Sequence, residues 1–181
     1  MAKLAKVISG GQTGVDQAAL RAAQSCGLEV GGWCPPGRAC ESGVIPSGFP
    51  LQETEQDRSP DAPDMPRSQR TEWNVLDSDA TLVVAQRGAS HALLPGFGVA
   101  SSESVTEDPG TTWTIECAKR YGRPLLVCDV NDSKVKEKIQ QWLNESQSKT
   151  LNVAGLSESD SPGIGQKAYA LVKSVLTANG R

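Results

Sequence analysis

One feature constrains this chain more than any other: apolar runs of strand length alternate with amphipathic helical stretches, and glycines mark the breaks. Lys6-Val7-Ile8-Ser9 is a short buried-strand pattern that ends at Gly10-Gly11. From Gly14 to Cys26, apolar or small residues recur at Val15, Ala18, Ala19, Ala22 and Ala23, which is helical spacing. Gly27 stops that helix as a left-handed terminator. Leu28 to Trp33 then reads as a second strand. A strand, glycine turn, helix and strand in this order make a βαβ unit, and such units build parallel sheets.

The pattern continues down the chain. Prolines at 35, 36, 46, 50, 60, 63 and 66 forbid long helices across residues 34 to 69. Ser68 is placed to cap a helix running to about Leu76. Ala80 to Ala85 is the clearest buried strand, and residues 86 to 110 read as a long loop. Three further segments follow: a helix over Thr111 to Tyr121, a strand over Pro124 to Val130, and an amphipathic helix capped by Ser133. A fifth strand is expected at Thr150 to Ala154, and a last helix over Pro162 to Leu176. The fold expected is a single α/β domain over residues 1 to 181. It is a Rossmann-like parallel sheet of about five or more strands with helices on both faces.

Composition narrows the function. Aromatic residues are only 4% of the 181, so the core must be built from Val, Leu, Ile and Ala. The net charge of -3 gives no basic face of the kind that nucleic acid requires. No run approaches the roughly 20 apolar residues of a membrane span. The first residues carry no secretory apolar core, so the cytoplasm is the expected location. In that compartment Cys26, Cys34, Cys40, Cys117 and Cys128 are expected as free thiols. Their spacing does not suggest a metal site. His91 is the only histidine and falls in the long loop, so neither a histidine triad nor a metal centre is expected.

In an open parallel sheet, ligands bind beyond the carboxyl ends of the strands. Three segments expected at that edge carry candidate residues. Gly10, Gly11, Gln12, Thr13 and Gly14 form a turn into a helix, where backbone N–H groups and the helix dipole favour an anion. It is neither a dinucleotide fingerprint nor a Walker loop, because the third glycine and the Gly-Lys-Ser/Thr are missing. The alternative is a plain strand–helix turn. Gly110, Thr111, Thr112 and Thr114 open a later helix with more hydroxyls than a cap requires, which suits phosphate; an ordinary capped helix is the alternative. Arg70 and Asn74 lie one helical turn apart and share a face, offering a cation and an amide. A solvated helix surface is the alternative there. Arg38 and Glu41 pose the same question in a loop.

Four blocks together resemble the molybdenum carrier family, which includes molybdenum-cofactor carrier proteins. They are Ile8 to Asp16, Gly31 to Pro35 with Gly37-Arg38, Arg70 to Val75 with Asp77 to Thr81, and Leu151 to Gly155. The resemblance spans nearly the whole chain in order. It implies a Rossmann-like fold shared with the Lonely Guy phosphoribohydrolases, which were once described as lysine decarboxylases. It also implies a homo-oligomer, a dimer or tetramer. The cargo would be the molybdenum cofactor, a pterin with a terminal phosphate, delivered unchanged to molybdoenzymes. Cofactor-binding residues would be Gly10, Gly11, Gln12, Thr13, Gly14, Arg38, Arg70, Asn74, Gly110, Thr111, Thr112 and Thr114. The rival implications are a nucleoside 5′-monophosphate phosphoribohydrolase, with Arg70 and Glu116 as its catalytic pair, and a nucleotide-sensing module. The enzymes place an Arg eight residues before a Ser-Asp pair, as Arg70 stands before Ser78-Asp79. Their Pro-Gly-Gly-x-Gly-Thr-x-x-Glu loop is only partly kept here. Pro109-Gly110-Thr111 lacks the second and third glycines, and Glu116 is one residue closer.

Overall fold

A computed structural model describes residues 4–86 and 108–179. Elements follow in the order β1 (Lys6–Ile8), α1 (Val15–Ser25), β2 (Glu29–Gly31) and β3 (Trp33–Cys34). A short 3-10 turn (Pro36–Arg38), β4 (Ala39–Cys40), β5 (Gly43–Val44) and β6 (Gln52–Glu53) lead to α2 (Ser68–Leu76). The remainder is β7 (Ala80–Ala85), α3 (Pro109–Arg120), β8 (Leu125–Asp129), α4 (Val135–Ser146), β9 (Thr150–Gly155) and α5 (Ile164–Asn179). The expected α/β fold with a parallel sheet is what the chain adopts. Most of the expected long loop, residues 87 to 107 with His91, lies outside the described residues.

The main sheet has five strands in the order β2-β1-β9-β7-β8, and every pairing is parallel. The last strand therefore lies in the middle. Counted cyclically from β9, the order becomes 3-2-1-4-5, that of a doubly wound sheet. The chain's start and its α4–β9 turn meet at one edge, where Ala5 N–H donates to Lys149 O at 2.9 Å. The end of α1 lies against the late turns of α5 there, with Cys26 Sγ 3.7 Å from Thr177 Oγ1.

The core explains the shortage of aromatics. Ala18, Ala19, Ala22 and Ala23 of α1 are all fully buried against Val153, Ile164, Ala168 and Val172. Alanine on that face lets α1 approach α5 and the sheet closely. A second cluster of Leu20, Cys34, Cys40, Ile45, Phe49 and Leu51 holds the irregular 33–54 segment. A third, of Val75, Trp113, Cys117 and Ala118, joins α2 to α3. All five cysteines are unbridged.

Several boundaries differ from the sequence expectation, each for a local reason. The expected strand from Leu28 to Trp33 breaks at Gly32, whose φ is +125°. A Cβ there would lie 2.4 Å from Ser9 O, so only glycine lets the chain leave β2 and pair Trp33–Cys34 with β6. α2 is not capped by Ser68, which is its first helical residue; the Ser68 hydroxyl accepts from Ser59 N–H and donates to Ala62 O. α3 begins at Pro109 and not Thr111, because the Asp108 carboxylate caps it by accepting from Thr111 N–H at 2.6 Å. α4 begins at Val135 with no side-chain cap, so Ser133 does not cap it; Asp132, just ahead, accepts from Lys134 N–H and Lys138 Nζ. Among the described residues no helix is long and apolar enough to cross a membrane.

The cyclic order predicts a permutation experiment. A chain opened between Gln147 and Ser148, with its original ends joined by a flexible linker, should keep the native circular-dichroism spectrum and one cooperative thermal transition. Loss of cooperative melting would contradict the cyclic order.

Candidate functional site

The turns after β1 and β9 and the start of α3 all lie at the carboxyl edge of the sheet. The β1–α1 turn is held by its own side chains. Gln12 Oε1 accepts from Thr13 N–H and from Glu41 N–H, each at 3.0 Å. Gln17 Nε2 donates to Gly11 O at 3.0 Å. Val15 N–H donates to Leu156 O at 3.1 Å, tying this turn to the one after β9.

Arg70 reaches this turn from α2. Its Nη1 donates to Asp16 Oδ2 at 3.1 Å, and the two side chains are 15% and 3% exposed. A Cβ on Gly10 would lie 1.7 Å from Nη1, so the guanidinium occupies the space that glycine leaves open. Arg70 Nε is buried and has no partner among the described residues. Asp16 Oδ2 also accepts from Gln12 N–H at 3.2 Å. Burial pushes the Asp16 carboxyl up from its ordinary range, against the pull of Arg70 and of the Gln12 N–H.

Asn74 sits one turn beyond Arg70, and both ends of its amide are engaged. Oδ1 accepts from Trp33 N–H at 2.9 Å, while Nδ2 donates to Trp33 O and Arg70 O at 2.9 and 2.8 Å. Asn74 thus clamps the chain where it leaves β2. Arg38 gathers the following segment, donating to Leu51 O, Pro46 O and Phe49 O. Trp33 and Trp73 meet edge to face at 4.7 Å beside them.

At the start of α3, Thr112 N–H donates to Asp108 O at 3.0 Å and Thr114 Oγ1 donates to Gly110 O at 3.0 Å. Thr111 is only 2% exposed, yet its hydroxyl has no partner among the described residues. Gly110 and Glu116 are exposed. The Ser-Asp pair that follows Arg70 is used elsewhere. Ser78 Oγ donates to Val75 O, and Asp79 Oδ2 accepts from Lys149 and Thr150 N–H at the opposite edge of the sheet.

The roles of Asp16, Asp108 and Glu158 escaped the sequence reading. Each places a carboxylate at a helix start on the carboxyl edge. Glu158 accepts from Gly165 N–H at 3.1 Å and from Gly163 N–H, so it caps α5. An acidic residue shortly before the Gly163-Ile164-Gly165 run was the available signal. Glu41 joins the turns after β1 and β9: Thr13 Oγ1, Ser159 Oγ and Ser159 N–H all donate to its carboxylate. Burial opposes ionisation of Glu41, but the bonds from Ser159 and Thr13 outweigh it and hold the carboxyl below its ordinary range. Deeper in, the Glu72 carboxylate accepts from Ser59 Oγ and Tyr121 Oη. The bond to Glu72, helped by burial, pushes the Tyr121 phenol up to about 12. No group of three or more His, Cys, Asp or Glu fit for a metal occurs among the described residues.

Two predictions follow from these carboxylates. Because the Glu41 carboxyl lies lower folded than unfolded, its contribution is present above the unfolded value of about 4.5 and is lost as pH falls through the folded one. The melting temperatures of wild type and Glu41→Gln should therefore differ at pH 7 and converge as the pH falls below the ordinary carboxylate range. A pH-independent difference would exclude the carboxylate as the cause. Separately, Tyr121→Phe removes a donor from a buried acceptor and should cost about 1–3 kcal/mol in urea denaturation.

Comparison with known proteins agrees with this architecture. A crystal structure of a protein named "putative molybdenum carrier protein", from Syntrophus aciditrophicus SB, is 32% identical over 97% of this chain and 96% of that one, with a TM-score of 0.76. Among curated proteins none matches. The circularly permutated YpsA SLOG family matches residues 7–176. The chain belongs to the circularly permutated YpsA SLOG family.

Proposed function

We propose that this chain is a cytoplasmic carrier that binds a phosphorylated small molecule at the carboxyl edge of its sheet, and that its cargo is the molybdenum cofactor. The observation that carries the reading is Arg70. It is a mostly buried guanidinium, held on one side by Asp16, lying over Gly10 with Nε unpartnered. Such a group has hydrogen-bonding capacity left for an oxyanion. The name of the Syntrophus relative supports the choice of cargo.

The ligand's oxyanion would meet the turn of Gly10, Gly11, Gln12, Thr13 and Gly14 on one side. On the other it would meet Gly110, Thr111, Thr112 and Thr114. Thr111 supplies a buried hydroxyl without a partner. Arg38 and Asn74 shape the wall through the segment they hold. Internal carboxylates already sit on the helix starts, so an incoming phosphate competes with Asp108 and Glu158 for the same N–H groups. Molybdoenzymes would be the acceptors, and a homo-oligomer belongs to the same reading.

A thermal-shift panel of released molybdenum cofactor, molybdate, tungstate, AMP, ATP and GMP tests it. A ligand at a hundred times its Kd adds about 2.7 kcal/mol of stability. The cofactor should raise the melting temperature, and Arg70→Ala and Thr112→Val should abolish that rise. An undiminished shift in both variants would remove these residues from the site. A response to nucleotides and not to the cofactor would overturn the carrier reading. Release of free base from AMP, abolished by Glu116→Ala, would make the chain a phosphoribohydrolase.

A further inference from the structure

The guanidinium of Arg70 has two unlike edges. Cδ and Nη1 lie on one of them, against Gly10, where a Cβ would be 2.9 Å from Cδ and 1.7 Å from Nη1. Nη1 on that edge donates to Asp16 Oδ2 at 3.1 Å. Nε and Nη2 form the other edge, whose parallel N–H groups suit two oxygens of a single oxyanion. Among the described residues Nε is buried without a partner, and Nη2 donates to no protein atom. The inner edge is therefore committed to the protein's own carboxylate, and the outer fork is not.

The charge on this guanidinium is already matched. Asp16 is 2% exposed, and its Oδ2 accepts from Gln12 N–H as well as from Arg70. An anion arriving on the outer fork would share one largely buried cation with the Asp16 carboxylate. Two like charges about one such site do not both stay ionised without cost, and the weaker acid takes a proton. Burial already pushes the Asp16 carboxyl upward, against the pull of Arg70 and Gln12 N–H, so a further push falls on an acid that is poised to accept. The other charged groups around α1 are engaged elsewhere. Lys6 of β1 pairs with Glu29 of β2. On α5, Lys167 donates to Gln86 and Asn131, and Lys173 to Tyr169 Oη. Glu158 caps α5, and Glu41 accepts from Thr13 and Ser159. The Cys34 thiol of β3, which feels Arg70, is pushed up by burial and stays neutral. Arg70 is the cation that faces Asp16 from α2.

We propose that an oxyanion binds on the Nε–Nη2 fork of Arg70, and that Asp16, on the opposite edge of the same guanidinium, takes up one proton from solvent as the anion binds. This deepens the oxyanion reading of Arg70 given above and rests on it. Asp16 is then a positioning residue that never touches the ligand. Ionised, it holds the guanidinium over Gly10 in the empty protein. Protonated on Oδ1, it still offers Oδ2 to Arg70 and Gln12, so the cation stays in place while the repulsion between the two anions disappears. The sign of the coupling follows. The bound anion raises the Asp16 value above that of the empty protein, so affinity rises as pH falls from the bound value toward the empty one. One proton taken up per anion makes binding about tenfold tighter for each pH unit in that window.

Molybdate is the probe, because it stays a dianion between about pH 6 and 8.5 and any proton taken up there is the protein's. Calorimetric titration of the full chain in buffers of different ionisation heat counts those protons. Wild type should take up close to one proton per molybdate within that range, with a Kd that tightens about tenfold per pH unit as pH falls. Asp16→Asn should take up none, and its Kd should not change with pH. Glu41→Gln, which neutralises a neighbouring carboxylate, should keep the uptake. An infrared band of a protonated carboxyl should appear when molybdate is added to wild type and be absent from Asp16→Asn. Molybdate binding without proton uptake at any of these pH values would overturn the proposal and leave the anion site standing. Absence of molybdate binding throughout would overturn it too, whereas the carrier reading stands or falls on the cofactor itself. Should Asp16→Asn fail to fold, wild type and Glu41→Gln decide: uptake lost in Glu41→Gln overturns the assignment, and uptake kept there together with the infrared band supports it.

Discussion

The ion pair between Arg70 and Asp16 is the contact on which the carboxyl edge depends. It links α2 to the first turn of α1 across Gly10, and it does so with both partners largely withdrawn from water. Removing one member of such a pair leaves an uncompensated buried charge, which typically costs about 3–5 kcal/mol. The surrounding choices follow from it. Gly10 has no Cβ because the guanidinium needs that volume. Gln12 turns its N–H toward Asp16, which leaves the Gln12 side chain to hold Thr13 and Glu41. Asn74, on the same face of α2, fixes the point at which the chain leaves β2.

A second regularity is the use of internal carboxylates at the carboxyl edge. Asp108 and Glu158 accept from backbone N–H groups at the starts of α3 and α5, and Asp16, in the first turn of α1, accepts from Gln12 N–H in the turn ahead of it. Helix N-termini are partly positive and carry N–H groups without intrahelical partners. Filling them with the protein's own acids stabilises the empty site. It also sets a threshold that a weak anion does not cross. A ligand with a dianionic phosphate competes better than chloride or a monoanionic carboxylate.

The elements were legible in the sequence where periodicity alone decides. Ala80 to Ala85 is a short run of apolar residues and one threonine between Asp79 and Gln86, and it became β7 without change. The alanine-rich face of α1 was equally plain. Helix starts were less legible, because a carboxylate cap such as Asp108 and a hydroxyl such as Ser68 look alike in sequence. Arg70 and Asn74 could be placed on one face of a helix, but their partners Asp16 and Trp33 lie far away in the chain and no local pattern points to them. The same holds for strand order. Period and length identify a strand, but nothing in β9 itself says that it belongs between β1 and β7.

That central place has a consequence for how the chain is made. On the ribosome β9 emerges after the other four strands of the sheet, and until then β1 and β7 have no common neighbour among them. The nascent protein can form two separate parallel pairs, β1 with β2 and β7 with β8, each exposing one interior edge of Val, Leu and Ile. Parallel pairings over long sequence separations are slow to close, and uncovered strands invite aggregation while they wait. The unpermuted order would synthesise the keystone first. This order synthesises it after the other four, so the sheet closes only once all of them have been made.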